Sequence, residues 1–288
     1  MKPSKLELSE AFIDTQKFFK EDDYLRESVE YSVAHTKLYP EDFTPGLIFF
    51  ESDSESESRP DQAGLIEVVK GRTLKTALEF GKKFPDKKIC VLNFAAPTKP
   101  GGGVKAGSAA QEESICRSST LYPTLITDEI RIKYYRYNER YYDFHGWDTC
   151  IYSPDIIICK DDDDYIPARL SRDEFQKIDV ITCAAPHIHR SMGEHIPDDE
   201  LFAIHVKRAK NILKIAAFNN VDIFIGGAFG CGAFHNNPKI VALAWHEALR
   251  ELRRKFYLTL FAVMVYDTSP YELNNYEIFR REFTDEKL

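Results

Sequence analysis

Lys88-Ile89-Cys90-Val91-Leu92-Asn93-Phe94-Ala95 carries no charge after its first residue, and five residues later it gives way to Gly101-Gly102-Gly103-Val104-Lys105-Ala106-Gly107-Ser108-Ala109-Ala110-Gln111-Glu112-Glu113. A continuous apolar run of this length reads as a strand buried on both faces. The three glycines that follow leave backbone without side chains, free to adopt positive φ and open to close approach by a ligand. Seven residues beyond them come an amide and two adjacent carboxylates, where a helix is expected from Ala109 to about Tyr122. Bare backbone beside paired acids suits a polyol or phosphate ligand whose bond is broken by a carboxylic acid.

The pattern extends in both directions. Leu65–Val69 reads as a strand and Thr73–Lys82 as a helix, and further strands are expected at 180–184, 221–225 and 258–266. Helices fill the gaps at about 199–218 and 238–255, with a last one near 274–283. Near-continuous apolar strands alternating with helices imply a sheet covered on both faces, an α/β sandwich. Residues 1–35 read as helical, with Phe12, Phe18, Phe19, Leu25, Val29 and Val33 at helical spacing. The organisation expected is a helical extension over 1–50, an acidic serine-rich loop over 51–62 and a catalytic core over 63–288. The tract Glu51–Pro60 has no apolar residue and reads as solvated loop. The stretch 128–180, with a Tyr/Arg-rich segment and the run Asp161–Asp164, is expected to be an elaborate loop region.

Composition narrows the classes. Hydrophobic residues make up 43% and charged residues 29%, the balance of an ordinary globular chain. A net charge of −8 argues against general nucleic-acid binding, which favours a basic surface. It leaves room for an anionic ligand, since backbone amides and helix N-termini bind phosphate without net positive charge. The six cysteines (Cys90, Cys116, Cys150, Cys159, Cys183 and Cys231) are scattered, several in apolar runs, with no C-x-x-C pair. They read as free core thiols of a reducing compartment, cytoplasmic or, in a eukaryote, nuclear. No signal peptide or membrane span is recognisable, and no membrane partner is expected.

A second glycine-rich segment, Gly226-Gly227-Ala228-Phe229-Gly230-Cys231-Gly232-Ala233-Phe234-His235-Asn236-Asn237-Pro238, follows the strand at 221–225 and precedes a helix. Ligands of open α/β sheets bind outside the carboxyl ends of strands, and two such loops form a split nucleotide site. Neither segment has a Walker sequence or a full G-x-G-x-x-G. A three-glycine run alone is usually a turn, and a Glu-Glu pair alone is usually helix surface. Their spacing after a buried strand, together with the second loop, favours a site.

Taken together, the segments resemble the microbial branch of the macrodomain-type poly(ADP-ribose) glycohydrolases. That family's signature is three glycines, a short spacer and Gln-Glu-Glu, matched by Gly101-Gly102-Gly103 and Gln111-Glu112-Glu113. Ser114–Pro123, Tyr152-Ser153-Pro154-Asp155, Val180–Pro186 and Gly230-Cys231-Gly232-Ala233-Phe234 also look like family blocks, and the similarity runs from about residue 30 to the C-terminus. His235-Asn236-Asn237-Pro238 departs from it, standing where an arginine and an aspartate are expected ahead of the proline. The resemblance implies a macrodomain-like three-layer α/β/α sandwich with a mixed central sheet and extra N-terminal helices.

It also implies hydrolysis of ribose–ribose O-glycosidic bonds, from the chain end, to release ADP-ribose, with neither cofactor nor metal. The partners are then poly(ADP-ribose) or ADP-ribosylated proteins. By the resemblance Glu113 is the general acid/base, its pKa raised by partial burial beside a second carboxylate. Glu112 fixes a ribose hydroxyl and Gln111 supports that geometry. Neighbours on one helix turn do not face each other, so the two carboxylates are expected to diverge rather than form a facing glycosidase pair. Gly101, Gly102 and Gly103 let the backbone approach ribose and phosphates, while Gly230, Cys231, Gly232 and Ala233 offer amides to the diphosphate. Phe234 packs on the terminal ribose, and Asn93 is a candidate ribose contact. Cys231 reads as a packing residue, His187 and His189 as ordinary hydrogen-bonding histidines, and Trp147 with Tyr134, Tyr135, Tyr137, Tyr141 and Tyr142 as a partly buried aromatic cluster.

Three other readings remain open at this point. One is an ADP-ribose reader without catalysis, against which the acid pair speaks. Another is a hydrolase of a different ADP-ribosyl linkage. The third is a metal-dependent phosphohydrolase using Asp161–Asp164, a run that otherwise reads as solvated charge.

Overall fold

The strand anticipated at 88–95 forms over Ile89–Phe94 (β3) and lies in the middle of a seven-stranded mixed sheet. The computed structural model describes residues 3–46, 64–141, 148–188, 196–265 and 270–284. The acidic tract 51–58, Tyr142, Trp147 and His189 fall outside these residues. The other strands are β1 (Lys37–Tyr39), β2 (Leu65–Lys70), β4 (Cys150–Ile158), β5 (Gln176–Cys183), β6 (Ile223–Gly226) and β7 (Leu258–Val263). Across the sheet the order is β1-β4-β5-β3-β6-β7-β2. The five strands from β5 to β2 are parallel, and β4 is antiparallel to both β1 and β5.

Side chains on the central strand alternate between two cores. Cys90 and Leu92 face one apolar cluster, covered by α8 (Asp198–Phe218), α9 (Pro238–Leu252) and α10 (Pro270–Thr284). Ile89 and Val91 face the other, covered by α1 (Lys5–Glu21), α3 (Thr73–Lys83) and α4 (Gln111–Ser118). Full burial on both faces is why this strand lacks polar alternation. Helix α1 begins with a capping box, in which Ser4 Oγ accepts from the Glu7 amide and Glu7 accepts from the Ser4 amide. Helix α2 (Asp23–His35) follows, and β1 then carries the chain into the sheet edge. Among the described residues no helix is long and apolar enough to cross a membrane.

The stretch 128–180 is not the loop region its composition indicates. Its described residues contain all of β4, the start of β5 and four short helical pieces: α6 (Asp128–Ile130), a π-helical turn over Arg131–Arg136, α7 (Tyr137–Tyr141) and a 3-10 turn over Arg172–Glu174. Pro154 and Asp155 hide the strand in the sequence. They sit where the β4–β5 register shifts between Ser153 and Ile156, and Asp155 adopts a φ of 55°. A bulge lets a proline and a left-handed residue interrupt a strand that then continues through Ile156-Ile157-Ile158. The helix after the glycine loop is shorter than expected as well. It stops at Ser118, because Ser119 is extended and bridges to Ile158, and a separate turn, α5 (Tyr122–Leu125), follows.

Candidate active site

A cavity of about 290 Å³ opens at the carboxyl ends of the parallel strands, the place where open α/β sheets bind ligands. Its wall brings together the start of α4, the loop after β6 and the ends of β7 and β2.

Helix α4 is tied to β3 by Gln111. Its Oε1 accepts from the Phe94 amide at 2.9 Å, and its Nε2 donates to the Leu92 carbonyl at 2.7 Å and to Thr73 Oγ1 at 3.1 Å. The next two residues, Glu112 and Glu113, are 3% and 7% exposed and both line the cavity. Glu112 Oε2 accepts from the Ala96 amide at 2.8 Å, and its Oε1 accepts from Asn93 Nδ2 at 3.4 Å. Glu113 Oε1 accepts from the Gly103 amide at 2.8 Å. Among the described residues, its buried Oε2 has no hydrogen-bond partner.

The two carboxylates converge on the glycine loop instead of diverging. A Cβ at Gly102 would run into both Glu113 Oε1 and Glu112 Oε2, and the residue has a φ of +58°. Only glycine meets both demands. The convergence arises because the loop folds back across the helix N-terminus, so residues adjacent in sequence meet a common third segment. Burial, reinforced by the Glu113 charge, pushes Glu112 up to about 8 against the pull of the Ala96 amide and Asn93. Glu112 thus has a raised affinity for a proton.

Asn93, Gly101, Gly102, Gly103 and Cys231 are not among the described residues lining the cavity. Asn93 is fully buried, and its amide donates to Glu112 and, at 3.1 Å, to Thr182 Oγ1. It therefore contacts Glu112 and not the ligand space. The three glycines stand behind the carboxylates as their cradle. Cys231 turns its thiol to the Phe229 carbonyl and packs on the core, where burial raises its pKa.

The loop after β6 is held rigid by its own hydrogen bonds. Gly230 has a φ of +75°, and a Cβ there would lie 2.5 Å from both Ala185 Cβ and Asn236 Nδ2. Asn236, 2% exposed, donates through Nδ2 to the carbonyls of Pro186 at 2.7 Å and Gly230 at 3.0 Å. Its Oδ1 faces His205 Nε2 at 2.9 Å. Burial lowers His205 to about 4, so the ring is neutral near pH 7 and donates through Nε2. This explains the departure at 235–238. Asn236 staples the loop, and Asn237 caps α9 by accepting from the Lys239 amide at 3.1 Å ahead of Pro238. Gly232 has nothing within 4 Å of where its Cβ would stand, and it lines the cavity with Ala233 and Phe234. Phe234 stacks on His187 with ring centroids 4.5 Å apart.

One group at the site escaped the sequence reading. Asp162, expected to be solvated, is 2% exposed and lines the cavity with Arg72. Its Oδ1 receives Arg72 Nε and Ser114 Oγ, each at 2.7 Å, and its Oδ2 receives the Leu74 amide at 3.3 Å. Arg72 Nη2 also reaches Ser114 Oγ at 2.7 Å, and the guanidinium lies over the Tyr165 ring. The arrangement is a closed ion-pair network whose oxygens are engaged by protein donors. Asp163 and Asp164 are exposed as expected. Only the fold reveals that one member of the run turns inward.

The family model for the microbial-type PARG (poly(ADP-ribose) glycohydrolase) catalytic domain matches residues 10–161. The chain belongs to this family. The family consists of glycohydrolases acting on poly(ADP-ribose), and this member is an enzyme of that class. Among solved structures it is similar to poly(ADP-ribose) glycohydrolase from Thermomonospora curvata, with 26% identity, 96% of this chain and 99% of that chain covered, and a TM-score of 0.78. The same enzyme bound to the inhibitor ADP-HPD gives 26% identity, the same coverage and a TM-score of 0.76. The Deinococcus radiodurans glycohydrolase in complex with ADP-ribose gives 29% identity, 89% and 97% coverage and a TM-score of 0.74. No curated protein matches the chain. The mixed sheet between helical layers is thus the macrodomain-like fold that the glycine signature implies.

Proposed function

We propose that this glycohydrolase removes ADP-ribose units from the end of a poly(ADP-ribose) chain, with Glu113 as general acid and base. The observation that carries the proposal is the buried, unpartnered Oε2 of Glu113 on the cavity wall, beside a second carboxylate whose ionisation burial opposes. Two buried carboxylates around one glycine retain a proton near neutral pH, because ionising both would bring like charges together in a poorly solvated place. The proton belongs to the pair, and in the reaction Glu113 passes it on through Oε2 while the Gly103 amide fixes Oε1.

As the bond between the ribose anomeric carbon and the bridging oxygen breaks, Glu113 gives its proton to that oxygen, and the sugar develops oxocarbenium character. The resulting carboxylate takes a proton from a water molecule. The hydroxide joins the anomeric carbon, and Glu113 is protonated again. Glu112, steadied by Ala96 and Asn93, holds a hydroxyl of the same ribose. Gln111 keeps α4 at its distance from β3. The amides around Gly230, Gly232 and Ala233 receive the diphosphate, and Phe234 packs on the terminal ribose.

The substrates are poly(ADP-ribose) and proteins bearing it. Helices α1 and α2 serve as a helical extension on the core, supported by their packing beside α4 and β4, whereas β1 joins the sheet edge and is part of the core itself. A cytoplasmic or nuclear location is favoured by six cysteines that are all free. Incubating the protein with a poly(ADP-ribose)-modified acceptor tests the function. Release of ADP-ribose, seen by chromatography, is the expected result. Tight ADP-ribose binding without release would replace the proposal with a reader.

A further inference from the structure

The Tyr/Arg-rich segment that the sequence singles out splits into two faces. Ile130, Tyr134, Tyr135 and Asn138 are buried, and the first three pack in the apolar cluster that also holds Val104 and Tyr122 of the glycine-loop region. Asn138 Nδ2 donates to the Pro97 carbonyl at 3.0 Å, just ahead of Gly101. The segment is therefore fastened to the loop that cradles the two carboxylates.

Its outer face is basic and aromatic. Arg131 and Arg136 stand five residues apart within the π-helical turn, and Arg136 and Arg140 stand four apart. All three arginines are exposed, so this stretch puts three cationic side chains on the surface within ten residues. Tyr137 and Tyr141, 44% and 51% exposed, stand in the same stretch, with ring centroids 4.9 Å apart. Arg140 lies over the Tyr141 ring at 5.4 Å. Lys133 is neutralised by Glu129 at 2.8 Å, and Glu139 is the one acid between 131 and 141. Among the described residues none of the three arginines is in an ion pair. On a chain of net charge −8 such a stretch is a local exception.

We infer that this face is a track for the part of the poly(ADP-ribose) chain that continues beyond the cavity. The inference rests on the function proposed above and extends it from the scissile unit to its neighbours. Every repeat of the polymer carries a diphosphate, which guanidinium groups bind, and an adenine, which exposed tyrosines stack. The terminal ribose held at Glu112 and Glu113 is joined to the next unit at the bond being cleaved, so the chain continues past these two carboxylates, and the segment is fastened to the loop that cradles them. The track begins there.

The test compares wild type with Arg131→Ala/Arg136→Ala/Arg140→Ala and with Tyr137→Ala/Tyr141→Ala, all exposed positions outside the cavity. The substrates are long poly(ADP-ribose) and the shortest one, two ADP-ribose units joined. For the long polymer, KM should rise about tenfold or more with kcat unchanged, and the salt dependence should become shallower in the arginine variant. Hydrolysis of the short substrate and ADP-ribose affinity should stay at wild-type values. Unchanged KM for the long polymer, or equal losses on both substrates, would overturn the inference. Polymer affinity is also measured on the Glu113→Gln background, with and without the arginines. If the wild type hydrolyses neither substrate, the catalytic proposal fails, while this binding measurement still decides the track.

Discussion

Glu112→Gln isolates the most unusual electrostatic feature of the site. The substitution keeps shape and removes the ability to ionise. The introduced side-chain oxygen can still accept from the Ala96 amide. The introduced NH2 group can donate to Asn93 Oδ1, a buried oxygen that has no partner among the described residues, once the Asn93 amide rotates. Folded Glu112 holds its proton to about pH 8, against an ordinary value of 4.5. Between these limits the folded chain binds more protons than the unfolded one, so stability falls as pH rises. The contribution is complete below about pH 4.5 and gone above about 8. Converted at 1.36 kcal/mol per pH unit, the penalty reaches roughly 3–5 kcal/mol. For a domain of this size that is a Tm difference of order 10 °C. His205 titrates the other way, gaining stability as pH rises from about 4 to its ordinary 6.5, and it is common to both proteins. The readout is therefore the difference in Tm between Glu112→Gln and wild type, measured by scanning calorimetry from pH 5 to 9. It should grow with pH up to about 8 and then level off. A difference independent of pH would refute the idea that burial holds a proton at this pair.

Other substitutions probe the remaining parts. Gly102→Ala places a methyl group against both carboxylates at a φ of +58°, and kcat should fall about 10²-fold with ADP-ribose affinity less affected. A fall in affinity alone would argue against the cradle. Gly232→Val projects into open cavity, so calorimetry should show ADP-ribose binding weakened about tenfold or more, ~1.4 kcal/mol, with Tm unchanged. Unaltered affinity would remove that loop from the site. Asn236→Ala leaves His205 and two carbonyls without their partner, and denaturant unfolding should show a loss of about 2–4 kcal/mol together with weaker ADP-ribose binding.

Local chemistry was legible in the sequence where one segment carried a complete message. Gly101–Gly103 and Gln111–Glu113 announced a cradle and a carboxylate pair, and the apolar run at 88–95 announced the central strand. What escaped depended on distant segments. Asn93 lies on a strand end and looks free to meet a ligand, yet Glu112, nineteen residues on, claims its amide. The raised pKa of Glu112 comes from the depth of its burial, which two adjacent letters cannot convey. Asp162 resembles its exposed neighbours, and only Arg72, brought in from the end of β2, explains its burial. β4 was hidden by Pro154 and Asp155, which break periodicity at a bulge without ending the strand. The Tyr/Arg segment had the composition of a loop because its period changes within a few residues, from α to π and back.

The central claim, that Glu113 delivers and recovers the proton, is tested most directly by Glu113→Gln. Turnover of poly(ADP-ribose) and ADP-ribose binding would be measured on the same preparation. The account predicts a loss of about 10³-fold or more in turnover, with ADP-ribose bound within about threefold of wild type, because the amide keeps the Gly103 contact but has no acidic proton to transfer. Turnover at the wild-type rate would contradict it and transfer the acid's role to Glu112.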